Sequence, residues 1–345
     1  MKVGIIGAGI SGLTAGRILA KAGHDIKVFE KNAGYGGRIA SFHPANNASF
    51  IVDHGASYLH GNSREFIDFL KELEDHQLIT KWSDSLSFFS DRRLLTEHPA
   101  REPEPYYIAP EGMNSIGKYL GRQLDFYMSE KVGGLTHIGG SRINKSPWMI
   151  NSSTINVFEA DAVIIATPAI QAYGLVAASQ DELALRRMIT VLDDIPYTST
   201  WSFIASYEKR DSVDWKGIRC KHPVLGWICN ESSKRDTEDE LHLVAHTSDT
   251  FTKKIINRND PETLNDQIKH SLSQILGSWA GRPKWSESHY WKYHFPKKNL
   301  DIPYLESDDE HAPLALVGDY FQGSSMEAAY LSGLRLGNFW ADKFS

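Results

Sequence analysis

The chain is poor in the residues that mark several common chemistries. It has two cysteines, Cys220 and Cys229, in 345 residues. That pair makes neither a disulfide framework nor a metal-ligand spacing, and it fits a reducing, cytoplasmic compartment. The 14 histidines form no HExxH and no tight ligand cluster, so no catalytic metal is expected. The serine elbow GxSxG is missing too. There is no block of basic residues, and the net charge is −6. Nucleic acid and anionic membranes are therefore not expected partners. No apolar run approaches the roughly eighteen residues that a membrane-spanning helix needs. Repeats and low-complexity tracts are absent. The motif described next begins at Met1, which leads us to expect no signal or transit peptide.

What is present is concentrated at the start. Lys2-Val3-Gly4-Ile5-Ile6 reads as a buried strand, Gly7-Ala8-Gly9-Ile10-Ser11-Gly12 as a tight turn, and a helical pattern runs on to Gly23. A second strand, His24 to Phe29, ends on Glu30. This is the dinucleotide fingerprint in its full context of strand, turn, helix, strand and acid. Gly7 permits the turn, Gly9 lets backbone approach a pyrophosphate, and Gly12 lets the helix pack on the strand. The amides from Ile10 and Ser11 onward would face the phosphates. Glu30, followed by Lys31, would accept from the ribose hydroxyls and would repel a 2′-phosphate. Gly34-Tyr35-Gly36-Gly37-Arg38 follows. Its amides and guanidinium suit a second face of the pyrophosphate, which narrows the dinucleotide to FAD.

Further along, Asp53-His54-Gly55-Ala56 reads as a strand end where Gly55 and Ala56 let backbone approach a flavin ring, with Tyr58 as a wall. Gly318-Asp319 lies at another strand end, ahead of a helix opening at Ser325-Met326-Glu327. Asp319 would accept a ribityl hydroxyl or sit near the phosphates. The helix N-terminus would favour negative charge at flavin N1 and the C2 carbonyl.

At 345 residues the chain is long for one core, and two domains are expected. Ser63 is a helix cap ahead of Phe66, Phe69, Leu70 and Leu73 at helical spacing. A helix is expected over 115–128, a meander over 135–165, and a buried strand over 162–168. Alternating patterns at 200–207, 224–230 and 242–247 predict antiparallel strands, interrupted by one helix at 261–276. A last buried strand at 315–319 and a helix over 325–343 close the chain. The fold class is thus α/β (α+β overall): a discontinuous Rossmann-like FAD-binding domain (1–75, 106–170 and 300–345) with an inserted, mainly antiparallel substrate domain (76–105 and 171–299). A ligand would lie between them.

These motifs resemble those of the FAD-dependent amine oxidase superfamily, with its glutathione-reductase-type FAD fold. Within it the chain is similar to renalase-like flavoproteins along its full length. Pro110-Glu111-Gly112-Met113, Ala166-Thr167-Pro168, Tyr290-Trp291-Lys292-Tyr293 and Glu327-Ala328-Ala329-Tyr330 carry the likeness further. The resemblance implies non-covalent FAD, since neither Cys220 nor Cys229 lies near the C-terminal motif where cysteine-linked flavins attach. It adds Thr167, Gly318 and the backbone at Arg142-Ile143, beside the adenine, to the cofactor set. It implies hydride transfer from isomeric 2- or 6-dihydro-NAD(P) to flavin N5, with oxygen as acceptor. A small molecule, a nicotinamide nucleotide among them, and oxygen are the expected partners, of a monomer or a homodimer. Trp201, Trp227, Trp291, Tyr293 and Tyr58 are the candidates for stacking the substrate. The family's basic-Trp-basic-Tyr run has Tyr290 in its first position here, so one basic residue is lost. An amine oxidase or desaturase of another small molecule is the rival reading, and a non-catalytic flavin redox sensor a third.

Overall fold

The computed structural model describes residues 1–43, 50–97, 102–138, 146–154, 156–179, 183–210, 213–235, 240–256 and 261–345. The helices among them are α1 (Ile10–Lys21), α2 (Arg64–Asp75), α3 (Asn114–Leu120), α4 (Ala169–Ala178), α5 (Leu183–Leu192), α6 (Asp249–Ile256), α7 (Pro261–Leu276) and α8 (Met326–Lys343).

Two sheets organise the chain. The first has six strands in the order Leu305–Glu306, Leu314–Leu316, Ala162–Ile165, Lys2–Ile6, Asp25–Glu30, Asp125–Met128. All neighbours are parallel except Leu305–Glu306 against Leu314–Leu316. Lys2–Ile6 lies in the middle, and the chain leaves it first to one side and later to the other. That is a topological switch point, where open α/β sheets bind ligands at strand C-terminal ends. One face buries α1, α2, α3 and α8 around Leu13, Phe69, Leu336 and Trp340. The other buries a three-stranded antiparallel meander (Val132–His137, Trp148–Ser152, Asn156–Ala160) together with α4 and α5. The meander lies close: a Cβ on Gly4 would come within 2.2 Å of Ile150 Cδ1.

The second sheet has seven strands in the order Trp285–Trp291, Thr200–Glu208, Glu240–Thr247, Leu225–Asn230, Gly217–Cys220, Ser87–Ser90, Arg93–Leu95. Its outer face packs Phe203, Leu243 and Ile218 against α6 and α7. Its inner face meets the hairpin Ser41–Phe42/Val52–Asp53 and Trp82 and Tyr106 through Ile204, Val244 and Cys229. No helix among the described residues is long and apolar enough to cross a membrane.

Three features depart from the sequence expectations. The helix expected over 115–128 stops at Leu120, and Asp125–Met128 pairs with Asp25–Glu30 as the sheet's edge. Gly121 sits at the break, where a Cβ would meet the Phe126 ring at 2.7 Å. The open edge beside Asp25–Glu30 offers Asp125–Met128 a full ladder, which overrides its helical pattern. Between residues 169 and 299, α4, α5 and α6 join the one helix expected there, at 261–276. The strand Trp285–Trp291 also escaped the sequence reading; it lies at a sheet edge, so its alternation is blurred by half-exposed residues on both faces.

Candidate functional site

The glycine turn takes the shape that its spacing demands. Gly7 has φ +107°, and a Cβ there would lie 2.8 Å from the Ala166 carbonyl oxygen. A Cβ on Gly12 would lie 2.6 Å from the Gly7 carbonyl oxygen, so α1 starts hard against the strand. At Gly9 the situation reverses: a Cβ would meet nothing closer than 4.0 Å. Glycine there keeps a space open rather than relieving a clash. Gly9 is also the N-cap of α1 and brings no capping side chain, leaving the first amides of the helix free for a ligand. The second loop lies alongside. Gly36 N donates to Ala8 O at 2.8 Å, and Gly36 and Gly37 both have positive φ. Glu30 is buried; its oxygens accept from Ala8 N and Asn32 N, both at 2.9 Å, while Lys31 is exposed. Beside Gly7, the buried Thr167 Oγ1 has no protein partner. An uncapped helix start, an open glycine cradle and an orphaned hydroxyl together fit a dinucleotide phosphate.

Arg38 and Asp319 meet directly. Arg38 Nη1 and Nη2 donate to the Asp319 oxygens at 2.6 and 2.8 Å, and Nη1 also donates to His294 O at 2.9 Å. Burial opposes the guanidinium's charge, but Asp319 outweighs it and the group stays firmly protonated. Arg38 O accepts from Ala56 N at 2.9 Å, and a Cβ on Gly55 would come within 2.1 Å of that oxygen. The Asp53–Ala56 stretch is thus stitched to the second glycine loop. Gly318 N donates to Ser332 Oγ at 3.1 Å, which ties the other strand end to α8.

Two residues expected near the flavin have other work for their side chains. Glu327 Oε1 accepts from Asn62 N and Ser63 N at 3.0 and 2.6 Å, bracing the start of α2, and Met326 packs into the core. The N-cap of α8 is Ser325, whose Oγ accepts from Ala328 N at 3.1 Å. Arg142 and Ile143 lie outside the described residues.

On the inner face of the seven-stranded sheet, cross-strand pairing lines up a single row: His289, Ser202, His246, Trp227, Arg219 and Phe88, each paired with the next. Paired residues share a face, so the row points toward the loop that follows Asp53. The loop touches it repeatedly. His246 Nε2 lies 3.2 Å from His54 O, Trp227 Nε1 donates to Ser57 Oγ at 3.0 Å, and Arg219 Nη2 donates to Tyr58 Oη at 2.7 Å. Trp291, on the same face, donates to His54 O at 3.0 Å and stacks on the His54 ring at 5.1 Å. Three atoms in this layer are buried without a partner: His54 Nδ1, Ser202 Oγ and Arg219 Nε.

The histidines are held neutral. Burial, with His289 and His246 nearby, brings His54 down to about 3, and burial brings His246 down to about 4. The buried acids on this side are matched by cations. Asp53 accepts from Ser41, Met113 N, Lys234 and Arg235, and Glu231 faces both Lys234 and Arg235. Burial alone would push the Asp53 carboxyl up; Lys234 and Arg235 hold it below its usual range. This cluster fixes the base of the 53–58 loop between the two sheets.

Of the aromatic candidates, the structure groups Tyr58, Trp227 and Trp291 around that loop. Trp201 is separated from them: it projects from the outer face, against Tyr290 at 5.0 Å. A strand's alternation defines two faces, and only the partner sheet decides which one is inner. Tyr293 packs against Tyr197 at 5.8 Å. The sequence reading missed His54, His246 and Arg219. His54 sits within the quoted Asp53–Ala56 motif and could have been picked out there; the other two depend on register. A cleft of about 530 Å³ between His222, Val224 and α7 lies on the outer side of the sheet, away from the glycine loops, and holds none of these groups.

Comparison with known proteins agrees with this geometry. Residues 5–73 match the NAD(P)-binding Rossmann-like domain family, and residues 83–336 match the flavin containing amine oxidoreductase family. The chain is 32% identical over 87 residues to "Putative oxidoreductase YgfK" of Escherichia coli O157:H7 and 49% identical over 39 residues to a 4,4′-diapophytoene desaturase of Staphylococcus aureus. Those matches cover 22% and 11% of this chain and only 8% of either relative. In fold it is similar to a putative protoporphyrinogen oxidase from Exiguobacterium sp. 255-15 (TM-score 0.73, 12% identity, 99% of both chains). It is equally similar to cyclohexylamine oxidase from Brevibacterium oxydans IH-35A (TM-score 0.73, 12% identity, 100% of this chain and 99% of that one). The chain belongs to the flavin containing amine oxidoreductase family, an FAD-dependent oxidoreductase family whose cofactor the glycine loops are shaped to hold.

Proposed function

We propose that this chain is an oxidase of isomeric dihydronicotinamides, the 2- or 6-dihydro forms of NAD(P), with oxygen as the final acceptor. The FAD would lie in the non-covalent, extended form along Gly7, Gly9, Gly12, Glu30, Arg38 and Asp319. When bound it supplies hydride acceptance at N5 and the return of electrons to oxygen. The seven-stranded sheet would act as the substrate domain and the six-stranded sheet as the cofactor domain.

One observation carries the reading: the inner-face row offers no buried proton acceptor poised near neutrality, since His289 is exposed at the sheet's edge. It contains no carboxylate, and its buried histidine, His246, is held down to about 4, as His54 above it is to about 3. Glu287 shares the inner face but is exposed at the sheet's edge. An amine is oxidised in its neutral form, so its ammonium must first lose a proton to water or to a general base. A dihydronicotinamide gives up a hydride with no proton to remove. The protein then needs only to stack and orient a flat ring, a role we assign to Trp291, Trp227 and Tyr58. The neutral imidazole of His54 would offer its unpartnered Nδ1 to a polar group on that ring. Anaerobic mixing of the FAD-loaded protein with 2- and 6-dihydro-NAD tests this. Rapid loss of the flavin's visible absorbance, restored by air with peroxide release, is expected. Bleaching by primary amines, with none by either isomer, would overturn the reading.

A further inference from the structure

Four described arginines are partly buried: Arg17, Arg38, Arg219 and Arg235. Three of them have a carboxylate partner. Arg17 faces Glu72, Arg38 faces Asp319, and Arg235 faces Asp53 and Glu231. Arg219 has none: among the described residues no carboxylate lies within 4.0 Å of it. Its partner is a phenol, Tyr58 Oη, and its guanidinium carbon lies 5.9 Å from the Tyr58 ring centre. Its Nε is buried and makes no hydrogen bond.

A guanidinium drawn away from water without an anion is costly, and the usual remedy is a paired charge. Arg219 is placed where a ligand could be that pair. It belongs to the inner-face row, with Trp227 and Phe88 as its cross-strand neighbours, and it touches the same loop as His54. Strands lie about 4.8 Å apart, so three steps along the row from Ser202 to Arg219 span on the order of 14 Å. That length matches a flat ring at the Trp291 end joined to a charged tail at the Arg219 end.

We propose that Arg219 forms an oxyanion subsite of the substrate pocket, selecting flat-ring substrates that carry a phosphate or carboxylate. The proposal rests on the reading of the inner face as the substrate side. It sets this chain apart from enzymes built for cationic amines, for which a guanidinium in the pocket would be repulsive.

The test is calorimetric titration of the FAD-loaded protein with two matched pairs: nicotinamide mononucleotide against nicotinamide riboside, and benzoate against benzamide. The wild type should bind the anionic member of at least one pair more tightly, on the order of tenfold, as for a charge-assisted hydrogen bond. Arg219→Gln should erase that advantage, Arg219→Lys should keep part of it, and Tyr58→Phe, which leaves the charge in place, should keep most of it. Flavin content and melting temperature of the variants establish that they fold. An advantage for benzoate but not for the mononucleotide would uphold the subsite and count against the nicotinamide substrate. Equal affinities within both pairs, or an advantage that survives Arg219→Gln, would overturn the subsite whatever the enzyme oxidises.

Discussion

On the proposed reading, the two sheets solve the ligand problem in opposite ways. The six-stranded sheet would meet its ligand with backbone: Gly9 leaves open space at the start of α1, whose first amides no side chain caps, and the charge would come from the dipole of α1 and from one arginine. The seven-stranded sheet would meet its ligand with side chains that only pairing across six strands brings into one row. A backbone site is local in sequence, so one substitution within it removes the ligand. A side-chain row is distributed, so single changes there should tune rate and selectivity while the fold persists.

The largest effect should therefore come from the glycine turn. Gly9→Val fills the open space at the start of α1. It should fold yet purify colourless, with FAD affinity down about a hundredfold or more, the equivalent of two charge-assisted hydrogen bonds. Full flavin content in this variant would break the contrast between the halves. Next comes the cluster that joins them. Lys234→Met leaves Asp53 and Glu231 short of a cation and should cost about 3–5 kcal/mol of stability, read from denaturant unfolding.

Acid should act on the inner face before it reaches the cofactor loops. His54 and His246 have folded values of about 3 and about 4 against an ordinary 6.5. The unfolded chain therefore binds protons that the native state refuses. Stability is fully present above the ordinary histidine value and falls as pH drops from there toward 4, by up to about 1.4 kcal/mol per pH unit for each histidine. Asp53, held below its usual 3.8, adds a further loss at still lower pH, as its carboxylate protonates. His54→Phe should flatten the first limb; an unchanged pH profile would remove the neutral-imidazole account.

Two tryptophans sharpen the comparison within one sheet. Trp291→Ala should slow anaerobic flavin reduction about tenfold through lost orientation. Trp201→Ala, on the outer face, should leave that rate unchanged and lower stability by up to about 3 kcal/mol. The smallest effect belongs to Glu327→Ala, which should lower stability by about 1 kcal/mol through the start of α2 and leave FAD binding intact.

This contrast also explains what could be read from the sequence. The glycine spacing, Glu30, Arg38 and the Gly318-Asp319 strand end are contiguous patterns whose shape follows from local geometry. Even there the partner of Arg38 was not legible, since Asp319 lies 281 residues away in sequence. The row of the second sheet is set by long-range register. Arg219 occupies an unremarkable position in a short strand and gains meaning only through Trp227, His246 and Ser202 beside it. Trp201 was grouped with the pocket residues because alternation alone does not say which face turns inward. The break after Leu120 has the same origin: a free sheet edge, invisible in the local pattern, claims Asp125–Met128.

The most direct test of the two-sheet account is a crystal structure with FAD and a non-reducing nicotinamide nucleotide bound together. We expect the FAD pyrophosphate at Gly9 and Arg38, and the nicotinamide ring beside Trp291 and His54 on the inner face. A nucleotide seated on the outer face, at Trp201 or in the cleft beside His222, would contradict the account.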